Sequence, residues 1–153
     1  MLSGLAPGKL PAMFLHFLYQ WASLIALVIT ATAAMWRGDW PERSGALAMI
    51  IAWFATPLVQ NGLQRFGVQE GVMIVDAGLF AALLYVALKS NRWWPLWACG
   101  FQAMNVVLHV AVIADAKIWA WSYFIASSVF SYLVMIALFL GSVNRPPRER
   151  RAA

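Results

Sequence analysis

From Pro95 to Ala114 the chain carries no Asp, Glu, Lys or Arg. The stretches 12–36, 44–64 and 118–141 also lack all four, and 71–88 carries only Asp76. Runs of this length leave few choices of fold. A helix needs about 20 apolar residues to cross the hydrocarbon core of a bilayer. In lipid each backbone polar group must find its partner inside the segment, so spanning runs of this kind are helical. Barrel strands would be about 10 residues long and would alternate in polarity. The sequence therefore predicts an all-α integral membrane protein with five transmembrane helices: Ala12–Trp36, Ser44–Gln64, Gly71–Leu88, Pro95–Ala114 and Ile118–Gly141. Composition agrees: 11% of residues are charged and 63% hydrophobic, against about 25% charged in soluble domains.

The expected layout is a short outer segment (1–11), a five-helix bundle (12–141) and a basic cytoplasmic tail (142–153). The first run is too long for the apolar core of a cleaved signal peptide and has no basic start. Short connections predict that sequential helices are antiparallel neighbours. The third run is the shortest of the five. The second is the first to question as a span. Pro57 should kink it. Arg37-Gly38-Asp39-Trp40-Pro41-Glu42-Arg43 has the Gly and Pro of a turn. Ser90 or Asn91 could cap the fourth helix, with Pro95 in its first turn.

Orientation follows from the basic residues between spans. Arg37, Arg43, Lys89, Arg92, Arg145, Arg148, Arg150 and Arg151 fall on one side, and only Lys9, Arg65 and Lys117 on the other. The positive-inside rule makes the richer side cytoplasmic, with the N-terminus outside. The net charge of +5 is thus explained by anionic lipid headgroups, and no nucleic-acid partner is implied. Trp36, Trp40, Trp93, Trp94 and Trp97 are expected to form a cytoplasmic-side belt, and Trp119 and Trp121 an outer one. Lys89, Arg92, Trp93, Trp94, Arg145 and Arg148 are the expected lipid anchors.

The polar residues inside the runs are few and patterned. At about 100° per residue, Gln102, Asn105 and His109 fall within an arc of roughly 60° on the fourth helix. His16, Gln20 and Ser23 form a second stripe on the first. Unpaired polar groups are costly in hydrocarbon, so both stripes should face other helices. Counted from the predicted borders, Asp76, His109 and His16 share the outer half of the membrane. Gln60, Asn61, Gln64, Ser122 and Tyr123 lie at the same border. Asp76 is the only acid within a run, and an intramembrane carboxylate must be protonated, paired or hydrated. Asp76 is expected to pair with His109, with His16 as the competing partner. Such a pair either locks helix packing or forms an outward-facing site that handles protons or a ligand; the third reading leaves Asp76 exposed near a thinned border.

Other candidates were weighed on the same grounds. His16 and His109 could ligate a b-type haem between facing helices, although only Arg65 and Lys117 are near to receive its propionates. His16, His109 and Asp76 are plausible metal ligands, but they come from three helices without a spacing motif, and no metal is expected. Cys99 reads as a packing residue. Gly78 with Ala82, and Ser127 with Ser131, suit close helix packing. No phosphate-binding loop, nucleophile elbow or large extramembrane segment is present, so no enzymatic activity is expected. The WPERSGAL segment and the RWWPLWACGFQ segment with its downstream His resemble a group of small multi-pass proteobacterial membrane proteins of unknown function. That resemblance implies an inner-membrane location and transfers no catalytic residue. The expected job is a small subunit, assembly factor or helper of a larger membrane complex. The alternatives are a small transport or proton-coupled protein and a haem carrier.

Overall fold

The computed structural model describes residues 9–60, 70–114 and 120–144, with side chains described from Trp21 onward in the first helix and from Ser122 onward in the last. Five helices follow one another: α1 (Lys9–Arg37), α2 (Trp40–Val59), α3 (Glu70–Lys89), α4 (Trp94–Ala114) and α5 (Ala120–Val143). Each packs on the next, and α1 returns to pack on α5, with α2 also touching α5. The helices thus close into a ring.

Their surface is inverted relative to a water-soluble bundle. Ile25, Val28 and Ile29 on α1, Ile51 and Phe54 on α2, Ile74 and Leu88 on α3, Leu96 and Val110 on α4, and Ile125 and Ile136 on α5 all point outward. The interior instead holds small residues, Ala34, Ala46, Ala98 and Ala137, beside Leu83, Trp94, Val134 and Leu138. Gln102, Asn105, His109 and Glu42 are also buried. A hydrocarbon exterior makes such a distribution favourable, because apolar surface costs nothing there and polar groups must seek each other inside. Among the described residues, α3, α4 and the Ser122–Val143 part of α5 are long and apolar enough to cross a membrane.

The remaining helices depart from the expected boundaries for physical reasons. The described apolar part of α1, Trp21–Arg37, is shorter. α2 starts at Trp40, four residues before the expected Ser44, because Asp39 occupies its N-cap position. Glu42 reaches back in a capping box, and a proline sits in the first turn. The Asp39 amide donates to Glu42 Oε2 at 2.8 Å. The segment expected to be a turn is therefore mostly the beginning of a helix, and the break is confined to Gly38 and Asp39. Glu42 and Arg43 in that first turn lower the apolarity of α2 below that of α3, α4 and α5. α2 ends at Val59, with Pro57 inside it, instead of continuing to Gln64. At the other end of the chain α5 runs through Ser142 to Val143, past the expected start of the tail. Ser142 is buried and its hydroxyl donates to the Leu138 carbonyl at 2.8 Å.

α4 buries one continuous face. Trp94, Ala98, Gln102, Asn105 and His109 recur at steps of four, four, three and four residues along its buried face. This stripe joins two polar layers near opposite ends of the ring. One contains Asp76, His109 and Tyr123, and the other Asp39, Glu42, Arg92 and Trp94.

Candidate functional site

The first layer is built where α3, α4 and α5 meet. Asp76 lies six residues into α3, His109 five residues before the end of α4, and Tyr123 three residues into α5. At about 1.5 Å of rise per residue, all three lie within about 10 Å of their helix ends. Because α4 runs opposite to both neighbours, these ends adjoin.

His109 Nε2 and Asp76 Oδ2 are 2.9 Å apart. A carboxylate can only accept, so Nε2–H donates to Asp76. The other carboxylate oxygen, Oδ1, accepts from Gln102 Nε2 at 2.9 Å. The same amide nitrogen lies 3.2 Å from the Asp76 backbone carbonyl, bracketing both parts of the residue. The Tyr123 hydroxyl lies 3.1 Å from Nδ1 and 3.4 Å from Nε2 of the same imidazole. The two rings meet edge to face, with centroids 5.5 Å apart. His109 is 1% exposed, whereas the Asp76 side chain retains 18%. The carboxylate is thus more accessible than the imidazole it meets, and the cluster draws its carboxylate, imidazole and phenol from three helices.

Such a cluster can exist in two hydrogen-bonded states without moving a heavy atom. With neutral imidazole, Tyr123 donates to Nδ1. With imidazolium, Nδ1–H donates to the phenol oxygen while Nε2–H still donates to Asp76. The three groups can therefore hold and share a single proton. Both ring nitrogens are engaged in this arrangement, so a haem iron would have to displace one of these partners to reach His109.

Asn105 lies one turn further along α4. Its Nδ2 donates to Ser131 Oγ at 3.2 Å, and Ser131 in turn donates to the Ser127 carbonyl at 2.9 Å. Tyr123, Ser127 and Ser131 recur every four residues and present one polar edge of α5 to α4. Asn105 thus shares the buried face with Gln102 and His109, but its direct partner is on α5. His16 and Gln20 lie outside the residues whose side chains are described. Among the described residues no group of three or more His, Cys, Asp or Glu could hold a metal ion. Cys99 is buried with a free thiol.

The second layer contains residues to which the sequence assigned another role. Trp94 is 0% exposed and does not sit in a lipid-facing belt. Its indole lies across Gly45 of α2 and Gly141 of α5. A Cβ built on Gly45 would come within 2.6 Å of Trp94 Cη2, and one on Gly141 would meet the Trp94 ring. Trp94 Nε1 donates to Glu42 Oε1 at 2.9 Å. Glu42 is itself 0% exposed. Arg92 supplies its counter-charge, with Nε 3.7 Å from Glu42 Oε1 and Nη2 3.1 Å from Asp39 Oδ2. Arg92 is thus tied to protein carboxylates. Trp36, Trp40, Trp93 and Trp97 remain exposed, as does Lys89. Arg145 and Arg148 lie outside the described residues. The signal for this layer was present in the Asp39-x-x-Glu42 capping box and in two glycines, Gly45 and Gly141, small enough to admit an indole. Gly78 also departs from expectation. It is exposed on α3, and among the described residues no atom lies within 4 Å of an added Cβ, so it makes no close helix contact there.

No protein-family model, curated protein or solved structure matches this chain.

Proposed function

We propose that the chain is a five-span, non-enzymatic protein of the bacterial inner membrane that handles protons at the Asp76–His109–Tyr123 site. In this reading the N-terminus lies outside and the C-terminus in the cytoplasm, so the site opens toward the outer face. The carrying observation is that the His109 imidazole touches both the Asp76 carboxylate, through Nε2 at 2.9 Å, and the Tyr123 hydroxyl, 3.1 Å from Nδ1 and 3.4 Å from Nε2. A packing lock needs one satisfied pair. Here an acid and a phenol both meet one base, with the acid more accessible than the base. Their three helices pack consecutively, so small shifts between helices could make or break these contacts. The test is proton flux into liposomes carrying a pH-sensitive dye. Native protein should conduct above protein-free vesicles, and Asp76→Asn should abolish the excess. Equal flux from the two proteins would sink the proposal.

A second reading, a small subunit, assembly factor or helper of a larger membrane complex, has its own support. Ile74, Ala77, Gly78 and Ala81 share an exposed face of α3, with open space over Gly78. A face with so little side-chain bulk lets another helix approach closely. Purification in mild detergent followed by mass spectrometry tests it: a membrane partner should co-purify with native protein and be lost from Gly78→Leu. A protein that runs alone in one defined oligomer argues against it.

A further inference from the structure

Asn105 is 1% exposed, and its amide is only half used. Nδ2 donates to Ser131, while Oδ1 has no hydrogen-bond partner among the described residues. Turning the amide over does not cure this. Ser131 offers one hydroxyl, so whichever end of the amide faces it, the other end is left over. A buried amide group without a partner is costly, and the cost rises in a low-dielectric interior. Buried polar groups left over by the protein are ordinarily satisfied by internal water, which needs a polar site and two or more partners. The α4–α5 seam offers such a setting: the Asn105 amide is flanked by Gln102 and His109 on its own helix and by Ser131 across the seam.

We infer that the seam between α4 and α5 binds an ordered water molecule on Asn105. Water fits either orientation of the amide because it both donates and accepts. The ligand is small, neutral and without apolar parts, as the buried position of Asn105 requires. The binding site stands on Asn105 alone and does not depend on proton handling. Its further role does rest on that reading: the water extends the Asp76–His109–Tyr123 cluster inward by one helical turn, toward Ser131.

Met135 provides a reporter. It is buried, and it lies one turn beyond Ser131 on α5. X-ray irradiation of the protein in lipid nanodiscs, in heavy-oxygen water, generates hydroxyl radicals wherever water resides. An internal water should transfer heavy oxygen to the Met135 thioether despite its burial. Asn105→Leu, nearly equal in volume but unable to bond water, should reduce this label to background. Labelling at Trp40, near a helix end, should be unchanged. Met135 left unlabelled in the native protein overturns the site without any variant. Equal labelling in native protein and Asn105→Leu overturns it as well. Liposome flux separates the site from its role. If Asn105→Leu loses the label but conducts protons as the native protein does, the water is there and the extension of the cluster is wrong. Absence of flux in native protein defeats the proton reading and leaves the label to decide the site.

Discussion

Asp76 Oδ2 and His109 Nε2 stand 2.9 Å apart across the α3–α4 interface, with Gln102 and Tyr123 occupying the remaining faces of the pair. Removing the carboxylate takes the Asp76 acceptor from His109 Nε2 and leaves Gln102 only the backbone carbonyl of that residue. Asp76→Ala should therefore destabilise the fold by about 1–3 kcal/mol, the usual cost of orphaning buried hydrogen-bonding groups. Asp76→Asn retains an acceptor and should lie between alanine and native. Thermal unfolding in detergent checks the order. An alanine variant that melts with the native protein would remove any structural role for the pair.

Tyr123→Phe separates structure from transfer. The edge-to-face ring contact survives, and one hydrogen bond is lost, worth about 0.5–1.5 kcal/mol. If the phenol shares the proton, flux should fall far more than stability. Melting and liposome flux measured on one preparation give the comparison, and native flux in Tyr123→Phe would confine the proton to Asp76 and His109.

Glu42 is the hub of the other layer. Glu42→Ala deprives the Trp94 indole, the Asp39 amide and Arg92 of an acceptor together. The expected loss is about 2–3 kcal/mol, below the full cost of breaking a buried ion pair because Arg92 keeps Asp39 and partial contact with solvent. Glu42→Gln can still accept from one donor and should be milder. Equal melting temperatures for Glu42→Ala and Glu42→Gln would contradict the hub.

The glycines divide by environment. Gly45→Ala and Gly141→Ala drive a methyl group into Trp94 and should each cost about 1–3 kcal/mol. Gly78→Ala meets nothing and should stabilise α3 by up to about 1 kcal/mol through helix propensity. The signs of the shifts in melting temperature provide the check.

Topology is open to direct measurement. Reporters fused to the C-terminus should be active only if they fold in the cytoplasm, and a cysteine placed at Asn91 should be shielded from impermeant reagents added outside. The opposite pattern would reverse the orientation argued from Arg and Lys.

Much of this arrangement was legible in the residues. Charge-free runs announced the helices, and the three- and four-residue spacing of Gln102, Asn105 and His109 gave a buried stripe. Counting depth from each border brought Asp76 to His109. Tyr123 was placed at the right border but not in the cluster, because depth says nothing about which way a ring turns. Trp94 was misread for a related reason. A tryptophan beside Arg92 and Pro95 at a membrane border resembles its exposed neighbour Trp93 until its surroundings are known. Those surroundings are Gly45 and Gly141, distant in sequence and informative only once α2, α4 and α5 are assembled. The early start of α2 was readable from Asp39, Pro41 and Glu42, but the same residues also suit a turn.

The bond between Glu42 and Trp94 joins residues 52 positions apart. A growing chain makes the acid long before its indole and guanidinium partners emerge. During that interval Glu42 has only the local Asp39 amide, and the first turn of α2, though its helix can already pack on α1 and α3, lacks this acid's indole and guanidinium contacts. Arrival of Arg92 and Trp94 supplies them in one step. The order of synthesis and the order of completion therefore differ: the second helix is finished as part of the bundle only when the fourth has begun.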